Sequence, residues 1–128
     1  GEILGMTAKW VNLRDRFVHL PMTKNGTSRN VPLSKRAGEL LEPLYKGKGA
    51  GDRLFKLESA SADSMFRRIR DELGIDGLTF HDTRHEAITR LARKVDVLDL
   101  ARITGHKDLK SLMIYYNATA SELAQRLG

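Results

Sequence analysis

The feature that most constrains this chain is a change of hydrophobic period at Ser34. Before it, apolar residues come in short runs bounded by turn residues. After it they recur every three or four positions. A chain of this kind builds a small sheet first and a set of helices afterwards.

In the first part, Trp10, Val11 and Leu13 are followed by the polar Arg14-Asp15-Arg16 and then by Phe17, Val18 and Leu20. This pattern predicts a hairpin. Pro21 ends its second strand or lies at its edge. Lys24-Asn25-Gly26 is a turn signal, because Asn-Gly suits positions of positive φ. Arg29 to Leu33 makes a third short strand, which completes a small antiparallel sheet.

Ser34 is a helix cap, with Ala37, Leu40, Leu41 and Leu44 on the buried stripe. The glycine-rich stretch from Lys46 to Gly51 breaks that helix, and Leu54-Phe55 docks as a short extended piece. A second helix opens at Ser61 or Asp63, carries Met65, Phe66, Ile69 and Leu73, and is closed by Gly74. Another begins near His81, and the next runs from Asp96 to Gly105. A fourth in this helical half starts at Asp108, with Leu109, Leu112, Met113 and Tyr116 on one stripe. The tail from Ser121 to Leu127 is a last helix capped by Ser121. The fold class expected is α+β, mostly α, with a three-stranded antiparallel sheet at one edge of a helical core. At 128 residues the chain is expected to form a single domain, too short for two independent cores.

Composition narrows the chemistry. There is no cysteine, which excludes a disulfide framework, a thiol nucleophile and a cysteine zinc site. No apolar run approaches the roughly 20 residues of a membrane span. Gly1-Glu2-Ile3-Leu4 has no signal-peptide character, so a cytoplasmic location and no membrane partner are expected. A net charge of +6 favours a polyanionic partner.

Of the carboxylates, Asp71, Glu72, Asp96 and Asp99 read as caps and solvated faces. His81 and His85 stand four apart, but Asp82 replaces the glutamate that a zinc-protease helix needs after its first histidine, so no metal or cofactor is expected. A phosphate site fits better. His81 and Arg84 share a helix face, and a helix start with an arginine fork suits an anion. Spacing alone leaves open an ordinary capped helix with a salt-bridging arginine. The tyrosines Tyr115 and Tyr116 follow Thr104-Gly105-His106. A helical period places Tyr116 on the core stripe and Tyr115 about 100° away from it.

His81-Asp82-Thr83-Arg84-His85, Thr104-Gly105-His106 and Tyr115, in that order, resemble the tyrosine recombinases, or phage integrases. Gly1-Glu2-Ile3-Leu4 with Trp10 resembles the family's opening segment. Lys24 with Ser28-Arg29-Asn30-Val31-Pro32-Leu33 is similar to its hairpin lysine and following strand. The resemblance covers nearly the whole chain. It implies the catalytic-domain fold of DNA breaking-rejoining enzymes, double-stranded DNA as partner, and strand cleavage through a 3′-phosphotyrosyl link without a cofactor.

Residue by residue, the resemblance makes Tyr115 the nucleophile and Lys24 the acid for the leaving 5′-hydroxyl. Arg84 and His106 hold the phosphate, and His81 lies near it and assists proton transfer. His85 is a supporting residue that holds Arg84 or the loop of the nucleophile. Glu2 and Glu86 orient cationic groups. Arg29, Arg67, Arg70, Lys46 and Lys48 are candidates for contacts to the DNA backbone.

The family's first catalytic arginine lies two residues before the glycine matching Gly1, and its helical DNA-clamping domain lies further upstream. The chain is therefore expected to be a truncated catalytic domain, 1–128, monomeric and impaired in cleavage by itself. The full-length protein is expected to form a tetrameric synaptic complex on DNA. The competing readings are a non-catalytic basic DNA-binding module and a basic structural domain.

Overall fold

The computed structural model describes residues 2–21 and 27–128. Two compact units divide at the first turn of one helix, Gly1–Thr83 and Arg84–Gly128.

In the first unit, a 3-10 turn, Ala8–Trp10, leads into β1 (Val11–Asn12), β2 (Phe17–Leu20) and β3 (Arg29–Pro32). The strands form one antiparallel sheet in the order β1-β2-β3, with Val11 opposite Val18 and Val18 opposite Val31. The hairpin turn is where the charged triplet predicts it, and Arg16 takes a positive φ of 58° there. Helix α1 (Lys35–Tyr45) follows, and the Ser34 hydroxyl accepts the Ala37 N–H as its cap. Met6, Ala8, Val11, Val18, Leu20, Leu41 and Leu54 form the core between sheet and helix. Alternate residues of β2 point inward, because strand side chains alternate between faces. The extended Leu54 docks into this core as expected, beside a bridge between Thr7 and Arg53.

Helix α2 spans Ser59–Glu72 and follows Glu58, so it begins two residues before Ser61. Ser61 and Asp63 lie inside it, not at its cap. Its Phe66 ring meets Phe80 edge-on at a centroid distance of 5.4 Å. Phe80 is the first residue of α3 (Phe80–Ala92), whose start is tied by the Asp82 carboxylate accepting the Thr79 N–H at 2.7 Å.

The second unit continues α3 and adds α4 (Val97–Thr104), a 3-10 helix over Leu109–Tyr115, and α5 (Ala120–Leu127). Ile88, Leu100, Ala101 and Leu112 make a second core. Among the described residues the buried apolar side chains gather in two clusters. Asp96 caps α4 by accepting the Asp99 N–H, as its position predicts. Gly105 ends the helix at φ 80°, a left-handed conformation that glycine adopts without cost.

Two further expectations are corrected here. The segment after Asp108 winds as a 3-10 helix and not as an α-helix. Leu112 is completely buried, while Met113 is 58% exposed, so the four-residue stripe does not form. A 3-10 helix repeats every three residues, which stacks Leu112 and Tyr115 on one side. The cap of α5 is Thr119 and not Ser121. Thr119 accepts the Glu122 N–H and Glu122 reaches back to the Thr119 N–H, a complete capping box.

Candidate active site

The second unit brings together four of the residues singled out from the sequence, in two linked pairs. Arg84, in α3, donates Nη2 to the carbonyl of Thr104 at 3.3 Å. Thr104 is the last residue of α4 and is buried. Its hydroxyl meets Nδ1 of His106. One residue thus ties both expected phosphate-holding side chains to the end of α4. Gly105 makes this possible, since its left-handed turn sends the chain back so that His106 lies against the helix end. Thr104 belongs to the quoted motif, yet nothing in the sequence marked it as the joint between Arg84 and His106.

The second pair is Tyr115 and His85. The Tyr115 hydroxyl is 2.9 Å from Nδ1 of His85. Their rings lie 5.2 Å apart at a tilt of 51°. A cleft of about 380 Å³ opens beside them, lined by His85, Thr89, Arg93, Ile114, Tyr115 and Asn117. Sequence reasoning gave His85 only the task of holding Arg84 or a loop. Its contact with the tyrosine hydroxyl joins residues thirty apart in sequence and has no local signature.

Tyr116 goes elsewhere. Its hydroxyl donates to the Val95 carbonyl at 2.8 Å. Burial, then the nearby Asp96 and Asp99 carboxylates, push its ionisation above the ordinary 10.0 of a phenol. It packs against the second core, as its expected place on the buried side requires. Tyr115 packs against the same core, which corrects the view that its ring points away from the packing. What distinguishes the two tyrosines is the hydroxyl partner, a histidine nitrogen for one and a backbone carbonyl for the other.

The first unit holds the remaining candidates except Glu86. His81 lies in the first turn of α3 and is exposed. Lys24 lies outside the described residues. Glu2 pairs with Arg29 at 2.9 Å, with the arginine side chain only 14% exposed. Arg70 donates to the Leu78 carbonyl at 3.0 Å and pairs with Asp71. Arg67 pairs with Asp63 one turn earlier at 2.8 Å on an exposed face. Lys46 follows α1 and is exposed, while Lys48 is half-buried. In the second unit Glu86 pairs with Arg90 at 2.9 Å, both well exposed.

A larger cleft of about 520 Å³ lies on the first unit, lined by Trp10, Phe17 and Tyr45 among others, and holds none of the expected catalytic residues. Among the described residues no three His, Cys, Asp or Glu side chains gather as a metal site. Among them, too, no helix is long and apolar enough to cross a membrane.

Known proteins resemble this chain in sequence and in fold. The model of the phage integrase family matches residues 1–122. A provisionally named integrase/recombinase of Haemophilus influenzae is 44% identical over 128 residues, covering 99% of this chain and 42% of that protein. The shufflon-specific DNA recombinase of Escherichia coli is 36% identical over 129 residues, covering 99% of this chain and 33% of its own length. The chain thus spans less than half the length of these curated relatives. In fold it is similar to the Tn1549 transposon integrase solved with transposon right-end DNA, with a TM-score of 0.78 and 20% identity over 98% of this chain and 52% of that one.

Proposed function

The chain belongs to the phage integrase family, and from that premise we propose that residues 1–128 form the catalytic domain of a site-specific recombinase that cuts and rejoins duplex DNA. The observation that carries the reading is the Arg84–Thr104–His106 assembly in the same unit as Tyr115. It pairs two phosphate-binding side chains with a phenolic nucleophile.

In this reading the phenolic oxygen of Tyr115 attacks the phosphorus of one phosphodiester. A new P–O bond forms to Tyr115 as the bond to the 5′-oxygen breaks, which leaves a 3′-phosphotyrosyl link. Negative charge grows on the nonbridging oxygens during attack. Arg84 and His106 stabilise it more strongly in the transition state than in the bound substrate. The planar fork of Arg84 suits two oxygens at once. Lys24 gives a proton to the leaving 5′-oxygen, and His81 lies close to the phosphate. The covalent link conserves the phosphodiester bond energy for rejoining. His85 supports the tyrosine, and Glu2 and Glu86 steady neighbouring cations.

Arg29, Arg67, Arg70, Lys46 and Lys48 are proposed to meet backbone phosphates outside the reaction centre, giving affinity that falls with salt. Four subunits acting on two duplexes would form the synaptic complex, in the cytoplasm where the DNA lies.

Covalent capture tests the reading. The full-length protein is incubated with a randomised duplex library carrying a nick that lets the cut end diffuse away. Captured DNA whose 3′ end is joined to Tyr115 supports it. Binding with no covalent product leaves a non-catalytic DNA-binding module.

A further inference from the structure

We infer that the cleft on the first unit lined by Trp10, Phe17 and Tyr45 is a docking site for a short acidic segment of a partner protein, one that carries a single aromatic or aliphatic anchor among its carboxylates. The inference does not rest on the reading of Tyr115 as nucleophile.

The sheet itself creates the site. In β2, Val18 and Leu20 belong to the first core, so Phe17 and His19 lie on the opposite face. The register sets Asn12 beside Phe17. The outer face of an antiparallel sheet is ordinarily polar. Here it carries a phenyl ring that stands outside the first core. Trp10 ends the 3-10 turn before β1, and Tyr45 ends α1. Both bring their rings to the same cleft, whose volume is about 520 Å³. A concavity of this size takes a few side chains of a protruding chain, whereas two folded domains meet over a broader and flatter area.

The charge at the rim is of one sign. Lys9, Arg14 and His19 line the cleft, and no carboxylate does. Among the described residues the side chains of Lys9 and Arg14 have no ion pair or hydrogen bond. Arg36, Arg53 and Arg67, by contrast, are each paired with a carboxylate. The His19 ring is fixed by Nδ1 donating to Oδ1 of Asn30 at 2.6 Å, which leaves Nε2 for another contact. Two unpaired cations beside three aromatic rings complement carboxylates next to an apolar side chain. The arginine fork suits a carboxylate, and the rings bury the anchor.

The same surroundings favour a short acidic peptide over a strand of nucleic acid. Such a strand needs cations along the track of its backbone. Here Asp15 adjoins Arg14 and is hydrogen-bonded to Asn12. Glu42 is exposed one turn before Tyr45. These carboxylates bound the cationic rim and confine it to a few negative charges.

Trp10 is the single tryptophan of the chain, so its fluorescence reads the cleft directly. The chain is titrated with a pool of short tryptophan-free peptides, each with one phenylalanine or leucine set among aspartates and glutamates. Calorimetry alongside registers binding that leaves the indole unchanged. Three other probes are the same pool with lysine for the acids, the same pool with alanine for the anchor, and single-stranded oligothymidylate. The acidic, anchored pool is expected to give a saturable change that weakens with salt, and the others much weaker binding. The double variant Lys9→Glu/Arg14→Glu, and separately Phe17→Thr, should each weaken binding by about tenfold or more. If Phe17→Thr lowers the melting temperature, the charge variant, at two exposed positions, still decides. Equal binding of the acidic pool by wild type and the charge variant would overturn the inference. So would the absence of binding by either readout. Stronger binding of oligothymidylate than of the acidic pool would make the cleft a nucleic-acid site, with the same effect.

Discussion

Tyr115 and Tyr116 are neighbours in sequence, yet their hydroxyls bond to different kinds of partner: Nδ1 of His85 at 2.9 Å and the carbonyl of Val95 at 2.8 Å. The first contact links α3 to the 3-10 helix through two side chains. The second uses the oxygen to pin a 3-10 segment to the chain between α3 and α4.

Removal of the Tyr116 hydroxyl should therefore affect stability and not chemistry. Tyr116→Phe loses one half-buried hydrogen bond and leaves the Val95 carbonyl without this donor. A loss of about 1 kcal/mol is expected in urea unfolding. The same variant should still form the covalent DNA adduct at a rate within a few-fold of wild type.

The raised ionisation of Tyr116 gives this stability a pH dependence. Its pKa lies above 10.0 in the folded protein, because burial and then Asp96 and Asp99 oppose the phenolate. As pH rises past 10.0, the unfolded chain releases this proton first and is favoured. The contribution is complete below that point and is lost as pH climbs through the higher folded value. The urea midpoint of wild type should fall more than that of Tyr116→Phe between pH 9 and 11 (roughly one unit either side of a normal phenol). Equal falls would show that Tyr116 carries no such shift.

Arg84 should resist conservative replacement. Its guanidinium bonds the Thr104 carbonyl and, as proposed, also clamps phosphate oxygens. Lysine has one charged nitrogen and cannot form a planar fork. Arg84→Lys is expected to slow single-turnover cleavage by about 10²–10³-fold. Its thermal stability should stay close to that of wild type, because the residue is exposed.

Gly105 should be sensitive for a backbone reason. Alanine at φ 80° would cost about 1–2 kcal/mol. Relaxation of that strain would also turn His106 away from Thr104. Gly105→Ala should therefore lower the melting temperature and the cleavage rate together, whereas His106→Ala should lower chiefly the rate.

Much of the fold was legible because local chemistry dictated it. Ser34 and Asp96 declare their helices through side chains that accept a nearby N–H. The Arg14-Asp15-Arg16 turn and the alternation of β2 declare the hairpin. The misreadings arose where two local signals competed. Both Thr119 and Ser121 can cap a helix, and only Glu122 at the third helical position favours Thr119. After Asp108, apolar residues at Leu109, Leu112 and Met113 suit either helical period, and the tighter one formed.

The site was legible in part, for a different reason. Residue types and order pointed to Arg84, His106 and Tyr115. The contacts that bind them, Arg84 to Thr104 and Tyr115 to His85, span 20 and 30 residues. No periodicity records such pairings, since they depend on how α3, α4 and the 3-10 helix pack around Leu100 and Leu112.

The most direct measurement identifies the residue that becomes bound to DNA. Full-length protein is trapped on a nicked duplex, digested, and sequenced by mass spectrometry as the nucleotide-modified peptide. The nucleotide is expected on Tyr115, with no adduct in Tyr115→Phe. A nucleotide on Tyr116 or Tyr45, or no covalent product from any duplex, would contradict the account.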